Sequence, residues 1–431
     1  MTDTLGRKLN FRSDVARAHV EARARPAARM MVKESPAYDG GARELFPIVM
    51  LNLVLNLITL GLYRFWAKTR IRRYFLSRIS FLGDRLEYTG TGKELFFGFL
   101  IVLAVLAPIG VAFEFLGQYA MSQSLRTFAI VQFTYALLFY FLIQVAVYRA
   151  QRYRLSRFNW RGIRGAQGGS AMLYALFAMM WSVITLLTLG IAYPLMRRSL
   201  QGYKINNARF GDESFHFEGG VGPLFLAWIL PWTGLALLIT PFVLTGIEQA
   251  GAVTVDWQQL AKDPKGLSDV FVHWQLAPAG VLVFLITKFW YRAAEVRYFA
   301  NRTVFDELRF TSRFKGIELF LVYLLYVSLM AAILWGAWAI SSELAVSAEA
   351  ARALGMSAIN LQFVVLAITI IPALFLLGAL QPIIVQNLLI HLYCKRLIVS
   401  GSFSPERLLQ NQLDVPQRGE GLADALDIDA F

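Results

Sequence analysis

The chain has 431 residues, of which 57% are hydrophobic and only 16% are charged, and its mean hydropathy is +0.50. A soluble domain carries about a quarter charged residues, so this composition excludes an ordinary globular enzyme and indicates an integral membrane protein. Lysine and arginine outnumber aspartate and glutamate by 42 to 29, which gives a formal net charge of +13. The single cysteine, Cys394, excludes an internal disulfide framework, and the four scattered histidines lack the spacing of a metal site.

The two ends of the chain are polar. The first 36 residues are rich in arginine and contain no apolar run that could serve as a signal peptide. We interpret 1–36 as a basic, disordered cytoplasmic tail; the alternative is a helix on anionic lipid, since Leu5, Leu9 and Phe11 fall loosely on one face. The segment 401–431 is acidic and is predicted to be a cytoplasmic tail that folds back on basic loops or recruits a partner.

Eight apolar stretches between these tails are long enough to cross or enter a bilayer core about 30 Å thick. They lie at 44–66, 95–117, 127–148, 171–196, 223–247, 271–292, 317–341 and 360–392. The last stretch is too long for one straight span and contains Pro372 and Pro382, which predicts a kinked or broken helix.

Charge separates the connections into two groups. A net charge of +15 is spread over 68–93, 149–170, 197–220 and 292–316, whereas 118–126, 248–272 and 342–359 together hold −2. Basic residues near span ends stay in the cytoplasm, so the first group and both chain termini should face inward. The segments 44–66 and 171–196 are then basic on both sides. We predict that both turn back near Gly61 and Gly190; the alternative is that the positive-inside rule fails there.

An internal repeat accompanies this charge pattern. Residues 59–96 align without gaps on 188–225, with identities at turns, aromatic positions and span starts. In each copy an apolar helix ends in a basic, aromatic turn, and a short alternating stretch such as 79–88 or 208–217 then predicts a β-hairpin. Looser copies occur near 152–160, 290–320 and 393–403. Lone hairpins are marginal in water, so several on one face should pair into a layer.

These patterns together predict an all-α polytopic membrane protein. It has about six full spans, two re-entrant or interfacial helical segments, and small cytoplasmic β-hairpins that form a β-layer. Three membrane repeat units are predicted between the tails, at 37–143, 144–286 and 287–400.

One string of residues resembles a known family. The string combines Tyr38-x-Gly40 and Glu44-Leu45-Phe46, then Thr59-Leu60-Gly61-Leu62-Tyr63-x-Phe65-Trp66-Ala67-Lys68, and then Arg73-Tyr74 and Tyr88-Thr89-Gly90. It is similar to the YjgN-like bacterial inner-membrane proteins, a family defined by a domain of unknown function. The match is strongest over 38–117 and weaker at 188–230 and 290–320. The resemblance implies a location in a bacterial inner membrane and implies no reaction.

The sequence contains no nucleophile elbow, phosphate-binding loop or pair of membrane carboxylates, so we expect no catalysis, cofactor or metal. Basic and aromatic residues that follow the helix ends would bind anionic phospholipids at about 1 kcal/mol per charge, or alternatively only fix topology. They are Arg70, Arg73, Tyr74, Arg78, Arg152, Tyr153, Arg157, Arg297, Tyr298 and Arg302. Polar residues within apolar segments would line a pathway or, alternatively, join helices. They are Asn52, Asn56, Glu114, Gln144 and Asn387.

The leading functional hypothesis is transport or permeation of a small solute or lipid. The alternative is a non-catalytic scaffold that binds anionic lipid headgroups and a cytoplasmic protein partner through its basic hairpins. Self-association into a homo-oligomer is left open, and no nucleic-acid partner is expected. A cavity that reaches Asn52, Asn56 or Glu114 would favour transport, and a dry helix bundle with a basic lipid groove would favour the scaffold.

Overall fold

A computed structural model describes residues 29–251, 276–345, 358–410 and 413, and this part of the chain is mostly helical. The helices are α1 (Ala42–Ile58), α2 (Arg64–Ser77), α3 (Gly92–Gln123), α4 (Leu125–Ser156), α5 (Ala171–Leu187), α6 (Tyr193–Asn206), α7 (Gly222–Gly251), α8 (Leu276–Asn301), α9 (Gly316–Ala345), α10 (Ala358–Gln381) and α11 (Asn387–Arg396). A π-helical turn, Pro382–Gln386, joins α10 to α11.

Eleven strands form one antiparallel sheet. They are β1 (Met30–Glu34), β2 (Ala37–Tyr38), β3 (Ile79–Phe81), β4 (Asp84–Tyr88), β5 (Phe158–Trp160), β6 (Ile163–Gln167), β7 (Ala208–Phe210), β8 (Glu213–Phe217), β9 (Thr303–Phe305), β10 (Leu308–Ser312) and β11 (Leu397–Phe403). Their order is β1-β11-β10-β9-β8-β7-β6-β5-β4-β3-β2. The hairpins predicted from sequence are thus parts of one continuous sheet, and the description all-α fits only the membrane part.

The sheet curves so that its two end strands, which are consecutive in the chain, come near each other. Only Ser35 and Pro36 separate β1 from β2, yet β1 pairs with β11 and β2 pairs with β3. Across the interior, the aromatic rings of Trp160 on β5 and Phe403 on β11 have centroids 6.5 Å apart. We call this arrangement the curved sheet. Its inward side chains form an apolar core that includes Val32, Trp160, Phe210, Phe305, Leu308, Val399 and Phe403.

The helices leave the curved sheet and return to it five times. In each excursion the chain leaves one strand and re-enters at a strand hydrogen-bonded to it, as from β2 through α1 and α2 to β3. The other excursions are α3–α4, α5–α6, α7–α8 and α9–α11. Because neighbouring strands receive both ends of every excursion, the helices share one rim of the sheet. The two-residue turns at 82–83, 161–162, 211–212 and 306–307 occupy the other rim.

Three of the five excursions are long enough to cross a bilayer twice. Within the described ranges, six helices have the length and apolar composition of membrane spans. They lie at Gly92–Gln123, Leu125–Ser156, Gly222–Pro241, Leu276–Asn301, Gly316–Ser342 and Phe363–Arg396. The predicted multi-pass membrane architecture is confirmed at this level. The excursions α1–α2 and α5–α6 are shorter, and their first helices have 17 residues each.

The structure differs from the sequence prediction at both ends. β1 lies inside the segment 1–36 that was predicted to be disordered, because its backbone pairs along β11 and its Val32 side chain is buried. Similarly, β11 extends to Phe403, inside the predicted acidic tail, and forms one strand rather than a hairpin. Residues 1–28 and nearly all of the tail beyond 410, and therefore any interfacial helix or partner site there, lie outside the described residues.

Candidate functional site: a basic cavity beside a broken helix pair

A cavity of about 670 Å³ lies between the α1–α2 pair and the interrupted helix α10–α11. Arg64, Lys68 and Arg72 line it from α2. A spacing of four residues places these three side chains on one face of the helix. We call this space the basic cavity.

Amide side chains add to the polar lining of the basic cavity. Asn52 and Asn56, four residues apart on α1, and Gln381 and Gln386 near the π-helical turn all line it. Two side-chain atoms, Asn52 Nδ2 and Asn56 Oδ1, are buried and have no hydrogen-bond partner among the described residues. Asn52 is 3% exposed, and a buried amide atom without a partner costs free energy. These two atoms therefore favour a polar occupant.

The α10–α11 side of the basic cavity is mainly apolar. Its residues include Leu374, Phe375, Gly378, Ala379 and Ile390. The α1–α2 side thus offers positive charge and two asparagines, and the α10–α11 side offers mostly hydrocarbon together with the two glutamines. This combination fits an amphiphile better than a fully hydrated ion, since most of the second wall cannot replace lost hydration.

A sharp turn places the basic row of α2 against α1. Thr59 ends α1 and donates its hydroxyl to the carbonyl of Leu55 at 2.7 Å, while the N–H of Tyr63 donates to the same hydroxyl at 3.0 Å. Leu60 and Gly61 follow in the left-handed region, with φ of 50° and 88°. Leu60 is 93% exposed. A leucine exposed at such a turn is costly in water, which supports a turn immersed in lipid.

The second short excursion has the same turn in a different setting. Leu189 and Gly190 have φ of 48° and 86°, and Thr188 makes the bonds that Thr59 makes in the first turn. Here the indoles of Trp228 and Trp232 donate to the carbonyls of Gly190 and Leu189 at 2.9 and 3.0 Å. The second turn is therefore held by α7. By contrast, a Cβ placed on Gly61 would meet nothing within 4 Å.

The interrupted helix completes the far wall of the basic cavity. Pro382 begins the π-helical turn, and π-helical turns within longer helices are frequent at functional sites. Just beyond the turn, Asn387 accepts a hydrogen bond of 2.5 Å from the hydroxyl of Tyr38 on β2. Burial raises the pKa of Tyr38, so the phenol stays protonated and can donate this bond. The contact ties the interrupted helix to the curved sheet.

The structure brings together only some of the polar residues predicted to form a pathway. Asn52 and Asn56 share the basic cavity, and Asn387 lies beside it as a structural contact. Glu114 lies in a separate pocket between the distant ends of α3 and α4, where it accepts a bond from Gln118 at 3.2 Å. Gln144 is half-buried on α4 and lines neither space. Among the described residues, no cluster of acidic, histidine or cysteine side chains could hold a metal ion.

Three arginines at the ends of returning helices form ion pairs with glutamates at the starts of outgoing helices. Each glutamate belongs to a Glu-Leu-Phe sequence, and each pair closes one excursion. The pairs are Arg78 with Glu44 at 2.7 Å, Arg157 with Glu94 at 2.9 Å, and Arg396 with Glu318 at 2.8 Å. We call these pairs the excursion clamps.

Tyrosines near the clamps make parallel contacts. Tyr74 hydrogen-bonds Gly41 and Glu44, and Tyr153 donates to Glu94 at 2.6 Å. Tyr298 donates to the carbonyl of Gly220. Each tyrosine therefore joins the end of a returning helix to the beginning of the same excursion.

The remaining predicted arginines also contact the protein itself. Arg73, Arg152 and Arg297 donate to the carbonyls of Gly90, Gly168 and Phe314 at 3.2, 3.1 and 2.6 Å. Arg70 donates to Asn52 at 3.2 Å, and Arg302 is exposed. Most of the ten residues predicted to bind headgroups thus hold helix ends to the sheet.

Two features escaped the sequence reasoning. The row Arg64, Lys68 and Arg72 was not recognised as one helical face, because Arg64 fell in the apolar segment 44–66 and the other two in the basic connection 68–93, although their fourfold spacing could have marked it. Glu295 was counted only as loop charge, yet it is 2% exposed and binds Arg197 and Arg292 at 2.5 and 2.6 Å. The alignment of 59–96 on 188–225 matches Lys68 with Arg197. A buried carboxylate neutralises Arg197, and Lys68 lines the basic cavity.

The fold is that of a multi-pass α-helical membrane protein in which every group of helices begins and ends at one curved sheet. Residues 34–425 match the family described as bacterial protein of unknown function (DUF898), and the chain belongs to that family.

Curated relatives agree with this assignment. The chain is 34% identical over 64 residues to the inner membrane protein YjgN of Escherichia coli O157:H7. It is 32% identical over 68 residues to the protein of the same name from Salmonella typhimurium strain LT2. These matches cover 15% and 16% of this chain, and only 16% and 17% of the relatives' lengths. No solved structure matches.

Proposed function

We propose that this protein binds an anionic amphiphile, such as an acidic phospholipid, in the basic cavity, as the binding step of a transport or permeation role in the inner membrane. The observation that carries the proposal is the two-sided lining of the cavity. Three cationic side chains of α2 and two asparagines of α1 lie opposite a side of α10 and α11 that is mainly aliphatic and aromatic. A phosphate diester would meet the cations while its hydrocarbon lies against α10.

The position of the basic cavity supports a role in movement as well as in binding. One wall is the α1–α2 pair, whose turn has open space around Gly61. The other wall is interrupted by the π-helical turn at Pro382–Gln386. π-helical turns inside longer helices are frequent at functional sites, because they re-aim side chains and loosen the local hydrogen bonding. We propose no reaction for this site.

The excursion clamps weigh against the scaffold hypothesis. That hypothesis assigned the repeated arginines to lipid headgroups, but Arg78 and Arg157 are paired with glutamates and Arg73, Arg152 and Arg297 with carbonyls. Their contacts support a structural role, and the row on α2 is the candidate for recognising an anion because it lines a cavity.

The proposal is tested by native mass spectrometry of the detergent-extracted protein with added phosphatidylglycerol or phosphatidylcholine. Each cation near a membrane surface contributes about 1 kcal/mol to anionic lipid binding. The variant R64Q/K68Q/R72Q should therefore lose roughly 100-fold in affinity for phosphatidylglycerol and little for phosphatidylcholine. The matched control is R126Q, which removes an exposed charge at the start of α4, far from the cavity along the chain.

Two results would count against the proposal. Equal retention of phosphatidylglycerol by the triple variant and the wild type would remove the basic cavity as the site. Displacement of the lipid by free glycerol phosphate at equal concentration would indicate a small-anion site instead, because hydrocarbon would then add nothing to affinity.

A further inference from the structure

A second cavity, of about 310 Å³, lies inside the curved sheet, and its lining is almost wholly apolar. Side chains from eight strands line it, and eight of these side chains are aromatic. They are Phe81, Phe158, Trp160, Phe210, Phe215, Phe305, Phe310 and Phe403. We call this space the apolar chamber.

The apolar chamber is covered at both rims. On the helix side, Leu155 and Cys394 line it from the ends of α4 and α11. On the turn side, the segment after β11 crosses the rim and buries Leu408 in the same apolar core. The N–H of Leu409 donates to Asp212 at 3.0 Å, and Gln410 accepts from the N–H of Arg164 at 3.0 Å. These bonds hold the covering segment across the turns.

The apolar chamber meets the basic cavity at Ile79. This residue lines both spaces, with Phe75 and Ile390 on the cavity side and Pro36 on the chamber side. Ile79 is half-buried and begins β3, a strand of only three residues. One side chain therefore stands between a polar, basic site and an apolar space lined by the sheet.

Apolar surface of this kind favours a hydrocarbon occupant. Water in the chamber would find almost no hydrogen-bond partners, and an unfilled apolar space forgoes dispersion contacts with every side chain around it. At roughly 30 Å³ per non-hydrogen atom, which is the share of a water molecule in the liquid, the chamber holds about ten carbon atoms. That size suits one alkyl chain and excludes a bulky diacyl tail.

We propose that the apolar chamber receives one hydrocarbon chain of the amphiphile whose anionic group lies in the basic cavity, and that the chain enters past Ile79. This inference rests on the proposed function for the position of the anionic group. The ligand class is a single-chain anionic amphiphile, such as a fatty acid or a lipid with one accessible acyl chain.

Two photoreactive fatty acids of equal length test the inference on the full-length protein in vesicles. One carries a diazirine beside the carboxylate and the other carries it near the terminal methyl group, and the labelled peptides are mapped by mass spectrometry. The carboxylate probe should label α2, and the terminal probe should label β5, β7 or β9. Terminal labelling confined to the membrane helices would overturn the inference. Carboxylate labelling away from α2 would instead contradict the proposed function, so the two failures are distinguishable.

Substitutions of Ile79 test whether the hydrocarbon chain enters the chamber past this residue. I79W should reduce the ratio of terminal-probe labelling of the chamber strands to carboxylate-probe labelling of α2 at least tenfold. The conservative control I79V should label as the wild type does. Undiminished chamber labelling in a folded I79W protein would exclude entry past Ile79.

The single cysteine gives a measurement that needs no variant. Cys394 is buried, lines the chamber and is free. Saturating dodecanoate should slow its modification by an uncharged maleimide at least fivefold in the wild-type protein. An unchanged rate, with the fatty acid shown to be bound, would place the chain outside the chamber.

Discussion

At the scale of single residues, the arginines of this protein divide into two sets with different surroundings. Those at the ends of returning helices are satisfied by glutamates or carbonyls, as Arg157 is by Glu94. Those along α2 face a cavity that also contains amide atoms without partners. Net charge alone could not separate these sets, because both lie in loops that the charge pattern assigns to one side of the membrane.

The clamp at Glu94 is expected to contribute measurably to stability. Its carboxylate accepts bonds from Tyr153 at 2.6 Å and from Arg157 at 2.9 Å. E94Q leaves the phenol and the guanidinium with a weaker acceptor and should lower the free energy of unfolding by about 1–3 kcal/mol. Denaturant titration in detergent measures this.

The matched control for that clamp is E87Q. Glu87 is exposed and accepts one bond of 3.2 Å from Asn159, so its change should stay within about 0.5 kcal/mol. If E94Q and E87Q change the free energy of unfolding equally, the clamp makes no net contribution to stability.

Sequence reasoning found both halves of the clamps but not their pairing. Glu-Leu-Phe was recognised as the entry to a helix, and the arginine and tyrosine at a fixed offset as an exit. The partners stand 34 residues apart for Glu44 and Arg78 and 78 residues apart for Glu318 and Arg396. No local periodicity connects positions so far apart, and only the return of each excursion to a neighbouring strand brings them together.

At the scale of elements, the two short helix pairs share one turn but differ in support. The first turn is open around Gly61, whereas Trp228, Trp232 and Leu235 of α7 surround the second. The sequence predicted both turns from glycine and charge. It could not show which turn is packed, because that depends on a helix from another excursion.

Alanine at the two turn glycines separates backbone strain from packing. Gly61 has φ of 88° and open space, so G61A should cost about 1 kcal/mol through strain alone. At Gly190 a Cβ would also lie 2.8 Å from Leu235 Cδ2, so G190A should cost more. Thermal unfolding in detergent gives the comparison.

A third glycine serves as the reference for both substitutions. Gly220 lies before α7 outside the left-handed region, and a Cβ there meets nothing within 4 Å, so G220A should change stability by no more than about 0.5 kcal/mol. Equal losses of stability in G61A and G190A would show that the contact with α7 adds nothing to the cost of G190A.

At the scale of the whole molecule, every excursion begins and ends on one sheet, which predicts a single orientation for all the turns on its far rim. In a C394S background, R85C, H216C and E307C should react with a membrane-impermeant maleimide only after the cells are permeabilised. Q123C, between α3 and α4, should react in intact cells. Reaction of any of the first three in intact cells would contradict the cytoplasmic assignment of the sheet.

Hydropathy and charge were sufficient to predict the spans and the short returning pairs, since both patterns are local. The strand order was not accessible in this way. Each hairpin could be read from alternation and turn residues, but the pairing of β1 with β11 joins the two ends of the described chain. The basic cavity likewise needs α2 and α10, which are separated in the sequence by three complete excursions.

The pairing of β1 with β11 also dictates an order of biosynthesis. Each excursion can insert into the membrane as it leaves the ribosome, because its helices and the adjoining hairpin are contiguous in the chain. The first strand, however, has no partner along its length until the last strand has been translated. Until then the growing sheet exposes unpaired backbone groups at its edge, which can pair with other nascent chains. A ribosome that stalls before Leu397 would therefore release a protein with all its membrane helices and an open, association-prone edge.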